Sequence, residues 1–459
     1  MLLTTKFFNK TLRMMMTKTI YKTLCIAAMA LTLGSCDDFL DIQPTGRVII
    51  TTAKEFREML TQAYSIVPED RGLATFRSDE FTMDATLSQE DISSFRDIWA
   101  WNDVSPDDAT STFSWRSYYQ VIYEANYTIE SHKKITEGSE AEINQLVGES
   151  YMLRAYMHFL LVNLYGEPYT ALADPYSSKA VPLKLDTDPY TVLSRSSVGD
   201  VFDQIISDID AAEKLINVEE WPVGLNYRFT TTSVDALRSR VYLYMGRWAD
   251  ALAASKRVLA KKQALSDLNT ELPNAYNSVE SIIALEEVMT ATYARAGKVN
   301  RDLFRAYNSN DLRRAKYYKQ VTASNIQLLK SGSNQYACSF RTGEIYLNAA
   351  EAALEAGNAD EARSYLLPLM KSRYKDAYYT EREAAVNAMG TAELREEIYA
   401  ERRRELAFEG HRWFDLRRTT RPELTKTYGN ETYTLNANDS RYTLRIPSAA
   451  IAANPGLAD

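Results

Sequence analysis

The stretch ERRRELAFEGHRWFDLRR, Glu401–Arg418, packs six arginines, four acids and a histidine into eighteen residues. On a continuous helix, side chains three or four positions apart are neighbours, so this spacing pairs Glu401 with Arg404, Glu409 with Arg412 and Asp415 with Arg418. The same residues suit a catalytic cluster, a grip for phosphates or a paired structural face. Charge density alone does not choose among these, and the rest of the chain must.

The chain has 459 residues, 45% of them hydrophobic, enough to bury a full core. Its net charge is −8 and becomes −13 without residues 1–35, whose only charged side chains are Lys6, Lys10, Arg13, Lys18 and Lys22. An acidic body repels phosphate backbones, which argues against nucleic-acid binding.

Lys18 and Lys22 precede the apolar run Leu24–Leu33, shorter than the roughly 20 residues needed to cross a bilayer. Residues 1–35 therefore read as a secretory signal, with Met1 or one of Met14 to Met16 as its start. The run closes on LGSC, Leu33–Cys36, which is similar to a bacterial lipobox. Cys36 is the expected lipidation point, where acyl chains would hold the mature chain to a membrane surface. Asp37 and Asp38 behind it resemble a surface-export signal, or simply begin a solvated tether over residues 36–52. Cys25 falls in the signal and Cys338 stands alone in the body, so no disulfide within the mature chain is expected.

From residue 53 onward, helical periodicity dominates. It predicts helices over 53–66, 115–135, 141–165, 198–216, 231–245, 248–261, 341–355, 359–373 and 391–409. Two stretches read as helix hairpins, VYLYMGRWADALAASKRVL at Val241–Leu259 and IYLNAAEAALEAGNADEARSYL at Ile345–Leu366. Small residues allow close helix approach, and Gly246 and Gly357 supply the left-handed conformation that ends each first helix. This is tetratricopeptide-like patterning without a strict 34-residue period, and an ordinary helical bundle would show much of it. Glu69–Thr112, Glu219–Thr230, Leu265–Asn310 and Ser372–Met389 are expected to be irregular, and their aromatic content argues against disorder.

Five segments in order are similar to motifs of the SusD/RagB family of surface nutrient-binding lipoproteins. They are YYQVIYEANYTIE (Tyr118–Glu130), ESYMLRAYMHFLLVNLYGEPY (Glu149–Tyr169), RTGEIYLNAAEA (Arg341–Ala352), the opening stretch, and RIPSAAIAANPGL (Arg445–Leu457). The resemblance implies a mainly α protein, a right-handed superhelix of four tetratricopeptide-like helix pairs with an irregular, loop-rich half packed against it. It implies one domain over 53–459, with helical repeats about 115–165, 198–261 and 341–410 and ligand-binding loops about 67–114, 166–197, 217–230, 262–340 and 411–459. It also answers the opening question as framework, with Glu401, Arg402, Glu405, Glu409, Arg412 and Asp415 expected to satisfy one another and nearby backbone.

The three histidines, His132, His158 and His411, are scattered without metal-ligand spacing, and no nucleophile elbow or P-loop occurs. No catalytic residue, metal site or cofactor is expected. Sugar binding asks for less, an aromatic face for the ring and polar groups for the hydroxyls. FRDIWAWNDVSPDD offers Arg96, Trp99, Trp101, Asn102 and Asp103, where the resemblance implies a ligand-contacting loop. Trp101 is either a sugar platform or the anchor of its loop. Further candidates are Trp221 and Tyr227, then Tyr276, Tyr293, Arg295 and Tyr307. The resemblance implies capture of an oligosaccharide at the outer-membrane surface and delivery to a SusC-like TonB-dependent transporter. Capture of a peptide or another nutrient is the nearest alternative, and a glycoside-active enzyme or a protein-binding scaffold are alternatives of other classes.

Overall fold

The computed structural model describes residues 50–322 and 325–458, so the leader, Cys36 and most of the expected tether lie outside the described residues. The longer helices are α1 (Ala53–Ser65), α2 (Gln89–Trp99), α3 (Trp115–Ser131), α4 (Glu140–Tyr165), α5 (Val198–Glu213), α6 (Thr231–Tyr244), α7 (Trp248–Lys261), α8 (Thr342–Glu355), α9 (Ala359–Arg373), α10 (Asp376–Ala388) and α11 (Thr391–Glu405). Many starts are chemical. Thr52, Ser139, Ser197 and Thr230 each accept from the backbone N–H three residues on, and the side chain there returns the bond.

Helices α3 and α4, α4 and α5, α6 and α7, and α8 and α9 pack as neighbours, and α8 also lies on α7 and α11. Gly246 and Gly357 sit at φ +69° and +88°, ending α6 and α8 in the left-handed conformation. Where α6, α7 and α8 meet, Ser239 Oγ and Ser255 Oγ are 2.8 Å apart and Asn348 Nδ2 donates to Ser239 Oγ at 3.1 Å. Two of the motif segments meet in the same way. Arg154 on α4 forms an ion pair with Asp208 on α5 at 2.6 Å and donates to Asn126 Oδ1 on α3 at 2.8 Å.

The loop-rich half has its own core, including Phe76, Phe81, Phe95, Trp99, Tyr317 and Phe408. Short two-stranded pairings stitch it together, among them Phe81–Thr82 with Lys298–Val299, Tyr318–Gln320 with Ile326–Leu328, and Leu424–Tyr428 with Glu431–Leu435. Three segments expected to be irregular are in part helical, Leu265–Asn310 through the short helices Ala291–Ala296 and Arg301–Arg305. Glu69–Thr112 contains Asp70–Thr75 and α2, and Ser372–Met389 contains α10. Helix α10 buries only Val386. One buried position leaves no hydrophobic period to read.

The opening stretch is two helices rather than one. Helix α11 ends at Glu405, a turn follows with Phe408 at φ +59° and Gly410 at φ +70°, and Arg412–Arg418 forms a second, short helix. The break abolishes the expected Glu409–Arg412 pair. Arg412 instead reaches Asp79 at 2.8 Å, while Glu409 binds Arg341 at 2.7 Å and the buried Lys330 ammonium. The other two intrahelical pairs form, Glu401 with Arg404 at 2.6 Å and Asp415 with Arg418 at 2.9 Å.

Glu405 is the hub of this seam. It accepts from Arg313 at 2.8 Å, Arg341 at 2.7 Å and Arg373 at 2.9 Å, all of them buried. Burial raises its pKa, but the three guanidiniums outweigh burial and hold it well below the ordinary carboxylate range. The expectation that these residues satisfy one another holds for Arg402–Asp415, Glu401–Arg404 and Asp415–Arg418, while Glu405, Glu409 and Arg412 take their charged partners from outside the stretch. Removing one member of such a buried set strands the remaining charges at about 3–5 kcal/mol.

Candidate ligand-binding surface

Helix α2 starts at Ser88, whose hydroxyl accepts from the Asp91 N–H, and delivers Trp99 and Trp101 into the core of the loop-rich half. Trp99 is 0% exposed and its Nε1 donates to the Phe81 carbonyl at 3.0 Å. Trp101 is 1% exposed, its Nε1 donates to the Arg77 carbonyl at 2.9 Å, and its backbone holds φ +57°. From the strand Leu424–Tyr428, the Lys426 ammonium lies 4.1 Å from the Trp101 ring centre and donates to the Phe76 and Trp99 carbonyls at 2.8 and 2.9 Å. Neither tryptophan presents a ring face, which corrects the expectation of a sugar platform here. Closed ring faces are the mark of an anchor.

Their polar neighbours serve the same loop. Asp103 accepts from Arg77 at 2.6 and 2.8 Å, and Asn102, though exposed, donates to Asp97 at 3.2 Å and to the Ser105 carbonyl at 2.9 Å. Arg96 lies over the Tyr428 ring, 5.7 Å from its centre. Tyr307 is buried, donating to the Arg404 carbonyl at 2.7 Å.

The remaining candidates lie nearer solvent. Trp221 is half-buried, its Nε1 donating to the Phe229 carbonyl at 3.2 Å, and guanidiniums of Arg57 and Arg228 stand 5.7 and 5.0 Å from its ring centre. Arg228 also donates to the Tyr227 hydroxyl at 3.1 Å, and Tyr227 packs edge-on against buried Tyr64 at 5.2 Å. Asn226 Nδ2 donates to the Tyr276 carbonyl at 2.7 Å, tying the two segments together. The exposed Val223 borders them. The result is an aromatic and cationic surface carrying Trp221 and Tyr227, with the backbone of Tyr276 tied to it through Asn226. Arg57 was not legible as its member, because nothing in the sequence brings α1 to residue 221, whereas Arg228 directly follows Tyr227 and was passed over.

Tyr293 is half-buried against Phe76 and Phe95, and burial, then Asp70 and Glu69, push its hydroxyl pKa up so that it remains a donor. Arg295 is exposed and reaches Asp91 at 3.0 Å. It lines an open cleft of about 480 Å³ with Lys298, Asn325, Gln327 and Ser331, a set of hydrogen-bonding groups suited to hydroxyls. The same segment serves both surfaces, since Gly332 lines the cleft and the Gln335 carbonyl accepts from the Tyr276 N–H at 2.8 Å.

The histidines occupy separate places. His158 is buried on α4, where burial and then Arg154 push its pKa down to about 3, and His411 lies buried beside Arg71 at 3.1 Å. His132 caps the end of α3. Among the described residues no group of three acids, histidines or cysteines is placed to hold a metal ion.

A helix-hairpin body carrying a loop-built face of aromatic rings, guanidiniums and amides defines a helical-repeat protein with a polar, aromatic-edged binding surface. A family model described as "Starch-binding associating with outer membrane" matches residues 38–243, and the SusD family model matches residues 274–458. The chain belongs to the SusD family. It is 24% identical to SusD-like protein P38 of Formosa agariphila over 85% of this chain and 89% of that protein. A SusD superfamily protein from Bacteroides thetaiotaomicron superposes with a TM-score of 0.73 at 22% identity, covering 89% of this chain and 99% of that one. A laminarin-binding SusD-like protein superposes at 0.59 with 18% identity, covering 81% of this chain and 92% of that one.

Proposed function

We propose that this protein binds an oligosaccharide on the surface formed by Trp221, Tyr227 and Tyr276, with the adjoining Arg295 cleft taking further sugar hydroxyls. The observation that carries this reading is Trp221, the indole whose Nε1 is held by the Phe229 carbonyl while the ring, with two guanidiniums near it, stays only half-buried. A fixed ring costs little entropy to use as a stacking platform. The starch-binding description of the matching family model and the laminarin ligand of one structural neighbour support a glycan.

In this reading acyl chains on Cys36 hold the protein at the outer membrane, residues 36–52 form the tether, and the captured glycan passes to a SusC-like TonB-dependent transporter without turnover. The outer-membrane association in the family description supports the location. Among the described residues no helix is long and apolar enough to cross a membrane.

Calorimetric titration with maltooligosaccharides and laminarin oligosaccharides tests the site. Trp221→Ala should weaken whichever glycan the wild type binds by about 1–3 kcal/mol, the scale of burying one large apolar side chain. Undiminished affinity removes Trp221 from the site. Cys36→Ala should move the protein from the detergent phase to the aqueous phase, and wild-type partitioning of that variant would reject the anchor.

A further inference from the structure

The seam holds a second recess, away from the aromatic surface. Between α11 and the helix Arg412–Arg418 lies an open groove of about 260 Å³, just under the roughly 300 Å³ at which pockets for drug-sized ligands begin. Arg402, Arg403, Arg412 and Arg418 all line it. Their carboxylate partners are fewer. Asp79 is shared by Arg403 at 3.0 Å and Arg412 at 2.8 Å, Asp415 is shared by Arg402 at 2.8 Å and Arg418 at 2.9 Å, and Arg418 also binds Glu351. Four guanidiniums thus share three carboxylate partners, with Glu396 a further carboxylate in the lining. Glu80, next to Asp79, does not redress the balance at neutral pH, since burial and then Asp79 push its pKa up to about 8.

The donors are also incompletely used. Arg402 is 2% exposed, with Nε on Asp415 and Nη1 on Asn348 at 2.7 Å, yet its Nη2 has no hydrogen-bond partner among the described residues. The same holds for Arg403 Nε. A buried guanidinium N–H left unpaired is costly, and a charged acceptor is the strongest partner it can take. Around these cations the lining adds hydroxyl groups of Tyr399 and Thr420 and the apolar ring of Pro422. The opposing feature is Glu396, an exposed carboxylate at the rim.

We propose that this groove is an oxyanion site that takes the carboxylate or sulfate of one acidic sugar unit, the guanidiniums binding the anion and Tyr399 and Thr420 the ring hydroxyls. Only the sugar part of this assignment rests on the proposed glycan capture. The cluster of guanidinium donors, two of whose N–H groups lack a partner among the described residues, shares no lining residue with Trp221 and its neighbours.

The test titrates the folded protein with glucuronate, glucose 6-sulfate, glucose and inorganic sulfate at constant ionic strength. One or both sugar anions should bind at least tenfold more tightly than glucose. Arg403→Gln should weaken that binding about tenfold, the size of one lost charge-assisted hydrogen bond, and Glu396→Gln should strengthen it severalfold. Trp221→Ala should leave it unchanged while reducing neutral-glycan affinity, which separates a failure of this site from a failure of the aromatic surface. Equal binding of glucuronate, glucose 6-sulfate and glucose overturns the proposal. So does sugar-anion binding unaffected by either Arg403→Gln or Glu396→Gln, and the second variant keeps the test open if the first does not fold. Inorganic sulfate binding as tightly as the sugar anions overturns the acidic-sugar assignment.

Discussion

Trp101 and Trp221 have the same side chain, the same kind of backbone carbonyl under the indole nitrogen, and opposite situations. Trp101 is 1% exposed with the Lys426 ammonium closing on its ring, whereas Trp221 stays half-open beside Arg57 and Arg228. In both, the indole N–H fixes the ring. What differs is the neighbouring element. Trp101 follows a helix that packs into the loop-rich core, and the strand Leu424–Tyr428 covers it. Trp221 sits in a loop ending at Phe229, with exposed Val223 and a glycine, Gly224, that has open space about it. Hydrogen bonding therefore does not separate an anchor from a platform, while the packing over the ring does.

The largest expected effect breaks the comparison if it fails. Trp101→Ala should cost about 3–5 kcal/mol of stability, the range for truncating a buried aromatic, read by denaturant titration. A stable Trp101→Ala protein with weakened glycan binding would return Trp101 to the platform role.

Next comes a pH effect confined to the buried region. Burial, then Asp79, raises Glu80 to about 8 from an ordinary 4.5, against the opposing Phe408 N–H bond and nearby guanidiniums, so the folded state binds its proton more tightly than the unfolded chain does. Its stabilisation is complete below pH 4.5 and is lost as pH rises through about 8. Glu80→Gln keeps the carbonyl that accepts from the Phe408 N–H at 3.0 Å and cannot ionise. It should remove a few kcal/mol of the stability lost between those limits, as order of magnitude. Melting curves of wild type and variant that fall in parallel from pH 5 to 9 would show that Glu80 does not carry the proton.

Trp221→Ala sharpens the comparison from the other side. Alongside its loss of glycan affinity, its unfolding free energy should change by less than about 1 kcal/mol, because a half-open ring gives up little buried area. Stability falling as far as for Trp101→Ala would make both residues anchors.

The smallest effect isolates the backbone. Trp101 occupies a left-handed conformation at φ +57°, which a side-chain-bearing residue adopts at a cost of about 1–2 kcal/mol and glycine adopts freely. Trp101→Gly should therefore be about 1 kcal/mol more stable than Trp101→Ala, although both lose the ring. The reverse order would show that the left-handed turn relaxes once the indole is gone.

The helices of the hairpin body were legible because each has a wide buried face. On α5, Val198, Val201, Phe202, Ile205, Ile209 and Ala212 are buried, and such a pattern repeats with the turn of the helix. Helix α10 was missed for the opposite reason, and the short helix Asp70–Thr75 because all six of its residues are buried, which leaves no polar face to mark a period. The Glu409–Arg412 pair was misread because helical spacing was carried through Gly410.

By itself the sequence determined the helix hairpins, since periodicity, capping and left-handed glycines are local properties encoded within a few residues of where they act, while the framework role of the charged stretch was implied by its resemblance to the family motifs. Tertiary structure alone decided which tryptophan is covered, which cations collect around Glu405, and that Arg57 joins Trp221 across 164 positions of chain. Burial and charge pairing depend on what arrives from elsewhere in the chain. Lys426 reaching Trp101, and Asp79 reaching Arg412, are meetings that no spacing within either segment records.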